Sequence, residues 1–270
     1  MWQVFARSLQ MLGIAVSVVV IVLLGSRAVA RRFLFPTQDV RACGPSPELV
    51  ERRLVARDGV AVHVLELQGG SAAPVVVHFH NNRELAQQTG DIARELAARG
   101  LGVVLVEYRG YGSSGSPSEE GLYADAEAAL DMLSARGLGP GRIVLWGTSL
   151  GTGVAAEMAR RGRGGRLVLV TPYTSIPDLV TNVAPFVPAS LLMADHFDTL
   201  SKARSIRIPT IVVHGDADEI VPFFMGERVA AAIQGAHLVR IPGGHHGDLL
   251  QRAHVRVVDA IVGTTTGPAS

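Results

Sequence analysis

Cysteine is almost absent from this chain. The single Cys43 excludes an internal disulfide and any cysteine-rich metal site, and it leaves the redox compartment open. A charge excess of either sign is also missing, since 25 Lys+Arg stand against 24 Asp+Glu for a formal net charge of +1. Without a basic surplus to neutralise phosphates, nucleic-acid binding is excluded as the main role. Lysine itself is missing apart from Lys202, a bias with no functional reading. No internal repeat is evident, and only one apolar run is long. What remains is 270 residues, 48% hydrophobic and 18% charged, enough for one large α/β domain or two small ones. That composition fits neither a disordered chain nor a multi-span membrane protein.

The one long apolar run is Leu9 to Gly25, LQMLGIAVSVVVIVLLG. At about 17 residues it lies at the lower edge for crossing a bilayer as a helix. A soluble core helix apolar on every face would need cover on all sides. A cleaved signal peptide is the sharper rival, with Arg7 as its positive region and Ala28-Val29-Ala30 as a small-residue cleavage site after Ala30. Against cleavage, Arg27 falls inside the would-be cleavage region and the run exceeds the usual apolar length. A retained single-pass anchor over residues 1–32 is therefore expected. Arg27, Arg31 and Arg32 outnumber the charges before the run, which weakly favours a cytoplasmic catalytic domain and leaves the side open. Removing Met1–Arg32 is expected to change location and not chemistry.

From Val60 onward, short β-branched runs alternate with amphipathic stretches. The runs are Val60–Leu67, Val75–Phe79, Gly102–Glu107, Arg142–Trp146, Leu167–Thr171, Ile208–His214 and His237–Ile241. The helical stretches are Glu84–Arg99, Glu119–Arg136, Leu150–Arg161 and Phe223–Gln234. Apolar strands each followed by a helix indicate a mainly parallel sheet with helices on both faces. Pro172 to Arg204 breaks the rhythm with several prolines and no strand, making 172–204 a candidate lid. The tail 263–270, GTTTGPAS, is expected to be disordered.

One pentapeptide carries chemistry. GTSLG, Gly147 to Gly151, sits between the strand-like RIVLW and a helical segment, the context a nucleophile elbow requires. Glycines on either side of Ser149 remove Cβ atoms from a tight turn, and the following helix start aims free N–H groups at developing negative charge. A serine hydroxyl needs an oriented base. After a later strand come Asp216, Asp218 and Glu219 as candidate acids, and IPGGHHGD offers His245 and His246 as candidate bases. Their order, serine, acid, histidine, suits a hydrolase of this architecture. For the oxyanion, Leu150 should give one backbone N–H, and Asn82 or Asn81, in HFHNNRE after the strand Val75–Val77, the second.

The chain resembles the membrane-anchored alpha/beta-hydrolase-domain serine hydrolases, relatives of the prolyl-oligopeptidase-like hydrolases, over roughly Phe33 to Ile261. The resemblance is carried by FLFP (Phe33–Pro36), DGVAVH (Asp58–His63), VEYRGYGSSGSPSEEGLYADAEAAL (Val106–Leu130) and GTSLG, then TPYTSIPDL, IPTIVVHGDADEIVP and GGHHGDL. It implies the α/β-hydrolase fold, with a catalytic domain over 33–262, a short cap and an N-terminal transmembrane helix. Carried over residue by residue, it implies Ser149 as nucleophile, Asp218 as acid and His245 as base. Two departures stand out. His80-Asn81-Asn82 replaces the family's common His-Gly-Asn, with Arg83 where a small residue is common, so the loop could narrow the acyl pocket or bind an anionic group. Glu107 replaces a more usual Asp before Tyr108-Arg109-Gly110, a change expected to be structural.

The expected activity is cleavage of carboxylic ester or thioester bonds in acyl or lipid-type substrates through a Ser-Asp-His triad and an acyl-enzyme. The alternatives are an amidase or peptidase of the same fold, or a catalytically silent membrane-tethered binding module. No metal, organic cofactor or obligate protein partner is implied; the expected partners are a small-molecule or lipid ester and the membrane.

Overall fold

The structure, a computed structural model, describes residues 25–37, 48–70, 72–112 and 115–266. Eight strands form one sheet: β1 (Val50–Val55), β2 (Ala61–Leu67), β3 (Val75–Phe79), β4 (Gly102–Glu107), β5 (Ile143–Thr148), β6 (Arg166–Val170), β7 (Thr210–Gly215) and β8 (His237–Ile241). Their spatial order is β1-β2-β4-β3-β5-β6-β7-β8. The β1–β2 and β2–β4 pairs are antiparallel and all the others are parallel.

The parallel middle of the sheet follows from strands with few polar residues, because a strand covered on both faces needs an apolar side chain at every position. Successive residues of a strand point to opposite faces, and the core divides accordingly. Val77, Val104 and Leu145 pack on one face with the helices α2 (Glu119–Ala135), α3 (Leu150–Arg160) and α5 (Phe223–Ala232). Val76, Val103 and Val144 pack on the other with α1 (Gly90–Ala98) and α6 (His254–Thr266). β1 escaped the sequence reading: VERRLV is an edge strand with no fully buried residue, so it lacks an apolar run. Helix α6 continues through Thr266, past the point where a disordered tail was expected to begin at residue 263. Extending a formed helix by a few residues costs little compared with starting one.

The segment 172–204 is not an open loop. It holds α4 (Ile176–Val183), capped by the Ser175 hydroxyl accepting from Asp178 N–H, and two short turns, Ala189–Leu192 and Thr199–Ala203. A further helix over 25–34 precedes the sheet, presenting Ser26, Ala30 and Leu34 as its half-buried stripe. Among the described residues no helix is long and apolar enough to cross a membrane. The run Leu9–Gly25 lies outside them except for its last residue.

Chain order and spatial order diverge at β3, which has β4 on one side and β5 on the other. The loops leaving β3 and β5 therefore turn to opposite faces and open a crevice at their carboxyl ends. His80–Asn82 and Ser149 lie there.

Candidate active site

Ser149 occupies the turn from β5 into α3 with φ 50° and ψ −115°, a left-handed conformation unfavourable for a residue with a Cβ. Its N–H donates to Val170 O at 2.9 Å, fixing the turn to the neighbouring strand. The flanking glycines are required by contact. A Cβ on Gly151 would fall on the Phe79 carbonyl oxygen, and one on Gly147 on the Gly151 carbonyl. Thr171, at the end of β6, is a second residue held at positive φ (52°), and it lines the same cavity. Such strain collects where surrounding packing over-determines the backbone, commonly at functional sites.

Ser149 Oγ lies 3.1 Å from Nε2 of His246, and His246 Nδ1 lies 2.9 Å and 3.1 Å from the two carboxylate oxygens of Asp218. Asp218 is 8% exposed. Burial alone would raise its pKa, but hydrogen bonds from His214 and His246, the His246 charge and the Val221 N–H hold it well below the usual carboxylate range. Ile220 and Val221 N–H groups donate to Oδ1 at 3.0 Å and 2.7 Å. An ionised Asp218 can only accept, so the proton of a neutral His246 sits on Nδ1. Nε2 is then left as a bare acceptor for the serine hydroxyl.

His245 is a correction. The resemblance carried the base onto His245, but this side chain is 54% exposed, with Nδ1 3.1 Å from Glu219 and its backbone N–H donating to Asp248. The adjacent rings leave the loop in different directions, His245 to Glu219 at the surface and His246 to Ser149 and Asp218, so a register error of one residue exchanges inside for outside. Two backbone bonds set that register: Asp216 N–H to Ile241 O and Ala217 N–H to Gly244 O, both 3.1 Å, which staple the acid loop to the histidine loop. The Asp248 turn in HHGDLL was the one local signal that His245 faces outward. Asp216 also turns away, binding Arg240 and the Gly243 N–H.

The loop after β3 is braced from several sides. His80, fully buried, has Nδ1 2.6 Å from Asn81 O; a carbonyl only accepts, so this nitrogen carries a proton. Its ring lies against Tyr108 and Tyr111, and its Nε2 is 3.2 Å from Glu107. Glu107 also accepts the Ala86 N–H, so its contacts are structural ones within this loop. Asn82 gives its side-chain amide to Leu34 O and accepts the Tyr111 hydroxyl on its carbonyl, both at 3.0 Å. Leu150 supplies the first N–H of α3, one of the donors a helix start leaves without an intrahelical acceptor. Asn81, Asn82, Ser149, Thr171 and His246 all line one cavity of about 490 Å³. No residue of 172–204 lines it.

The N-terminal helix is part of this framework, which sequence reasoning missed. Arg31 Nε donates to Asp195 at 2.6 Å, and Asp195, 3% exposed, also accepts the Glu119 N–H. Phe35 is buried edge-on to Phe197. A cut after Arg32 therefore removes a partner of a buried carboxylate, against the expectation that residues 1–32 are dispensable for the catalytic body.

Solved esterase structures share this fold. An esterase from Exiguobacterium antarcticum superposes with a TM-score of 0.64 at 18% identity, covering 81% of this chain and 100% of that one. A Pyrococcus furiosus esterase gives 0.68 at 16% identity, over 83% and 96% of the two chains. The chain has the α/β-hydrolase fold. Residues 70–202 match the family model described as serine aminopeptidase, S33. An uncharacterized Mycobacterium tuberculosis protein is 37% identical over 182 residues, 66% of this chain and 65% of that protein. The lysophosphatidylserine lipase ABHD12 of Danio rerio is 32% identical over 182 residues, which are 59% of this chain and 47% of that lipase.

Proposed function

We propose that the chain is a serine hydrolase of carboxylic esters or thioesters, with Ser149 as nucleophile, His246 as base and Asp218 as its orienting acid. The observation that carries the reading is the unbroken line from Ser149 Oγ through His246 to Asp218, with the nucleophile on a strained turn. Ser149 Oγ attacks the acyl carbon while its proton passes to His246 Nε2. Asp218 stabilises the resulting imidazolium, and the Leu150 N–H with an N–H of the Asn81–Asn82 segment stabilises the oxyanion. His246 then returns the proton to the leaving alcohol or thiol. Water, deprotonated by His246, attacks the acyl-enzyme; the acyl–Oγ bond breaks, His246 passes the proton to Ser149 Oγ, and the acid is freed. Esterase-like folds and the lipase relative favour esters; the family description favours amides as the second reading.

A fluorophosphonate probe tests the class. Stoichiometric labelling on Ser149, absent from Ser149→Ala, is expected. No labelling of the folded protein would favour a silent binding module. Turnover of a 4-nitrophenyl ester against an aminoacyl 4-nitroanilide separates ester from amide cleavage.

Attachment to a membrane through Leu9–Gly25 belongs to the same proposal, supported by the length and apolarity of that run. The Arg31 and Leu34 contacts refine its test. Deleting residues 1–24 should move the protein from the membrane fraction to the soluble fraction with ester turnover retained. Deleting 1–34 should also lower the thermal midpoint by roughly 2–8 °C and reduce turnover, because Asp195 and Asn82 lose partners. Equal activity and melting of the two truncations would refute the bracing role of 25–34.

A further inference from the structure

Among the described residues, one charge lining the cavity beside Ser149 has no counterpart. The other charged lining groups are engaged: Asp91 is paired with Arg94, and His254 with Glu95. Glu84 accepts from Asn81 Nδ2 and Thr89 Oγ1, and burial pushes its carboxyl pKa up, toward the neutral acid. Arg83 differs. Its backbone N–H donates to Asn81 Oδ1 at 2.8 Å, which fixes the turn, while its guanidinium has no hydrogen bond or ion pair among the described residues. It follows directly on Asn82, so it stands one residue from the segment that would hold the oxyanion. A planar guanidinium at the edge of a cleft is suited to bidentate recognition of a carboxylate or phosphate.

We propose that Arg83 reads an anionic group on the substrate, so that the preferred ester carries a carboxylate or phosphate within reach of one arginine side chain from the scissile carbonyl. This rests on the Ser149 hydrolase reading. The anion could belong to the acyl part or to the alcohol, and matched substrate pairs separate the two. For the acyl side, 4-nitrophenyl hydrogen adipate is compared with 4-nitrophenyl hexanoate. For the alcohol side, 1-hexanoylglycerol 3-phosphate is compared with 1-hexanoylglycerol.

The full-length protein is expected to favour the anionic member of one pair by about 10- to 100-fold in kcat/KM, the span of a net hydrogen bond to a charged group. The preference should appear mainly in KM and shrink as salt is raised. Arg83→Gln should bring the ratio for that pair close to one, and Arg83→Lys should restore part of it. A purely structural role for Arg83 would lower both members of a pair alike and leave the ratio intact. Hydrolysis of the neutral esters with no anionic preference in either pair overturns the Arg83 proposal and leaves the hydrolase standing. Failure to cleave any of the four, together with no fluorophosphonate label, overturns both.

Discussion

His246→Ala is expected to lose about four orders of magnitude or more in kcat for a short-chain 4-nitrophenyl ester, as is Ser149→Ala, while His245→Ala stays within about threefold of the parent. In the proposed mechanism Ser149 and His246 act on the same proton, so removing either one removes the attack itself and not a fraction of it. His246 touches both the serine and the buried acid. His245 touches Glu219 at the surface, and an exposed pair of that kind contributes about 0–1 kcal/mol. Steady-state kinetics on the three variants, with circular dichroism to verify folding, distinguishes them. KM should change little, because neither residue is needed to bind the neutral ester. A larger loss in His245→Ala than in His246→Ala would mean that the histidine loop takes the other register in solution.

The histidine register also marks where reading the chain runs out. Strand-elbow-helix around Ser149 was legible because every feature of it is local: a run of apolar residues, two glycines and a helix start. The candidate acid loop was legible for the same reason. The choice between two adjacent histidines was not, since it depends on bonds from Asp216 and Ala217 to residues more than twenty positions away. The bracing of Asn82 by Leu34 and of Asp195 by Arg31 spans still longer separations and leaves no periodicity in the sequence. Edge strand β1 was missed because its arginines interrupt any apolar pattern; Arg52 instead turns to the buried Glu66. Helix α6 was missed for the opposite reason. Its valine-rich stretch suits a strand as well as a helix, and packing of Val257, Val258 and Ile261 against the sheet decides between them. Both loops of the crevice could be found in the sequence, but the faces of their side chains could not.

Gly151→Ala should lower activity by about 10²–10³-fold, through geometry alone. The added Cβ would fall on the Phe79 carbonyl, with His80 O 2.8 Å away. These are backbone atoms at the end of β3, so no flexible side chain can swing aside. Either the start of α3 moves, taking the Leu150 N–H with it, or the end of β3 moves, taking the His80–Asn82 loop. Each shift displaces one wall of the proposed oxyanion site relative to Ser149. Misplacement of about 1 Å in such a site costs on the order of 10²-fold in rate, and loss of one oxyanion donor costs about 10²–10³-fold. Overpacking of this kind destabilises by about 1–3 kcal/mol, a drop in thermal midpoint of roughly 2–12 °C for a domain of this size. Gly139→Ala is the control, because a Cβ there meets nothing within 4 Å and the backbone has φ −73°. It should melt at or slightly above the parent temperature with full activity. Differential scanning calorimetry and kcat on both variants check the pair. Full turnover in a folded Gly151→Ala protein would show that the contact between α3 and β3 does not set the oxyanion geometry.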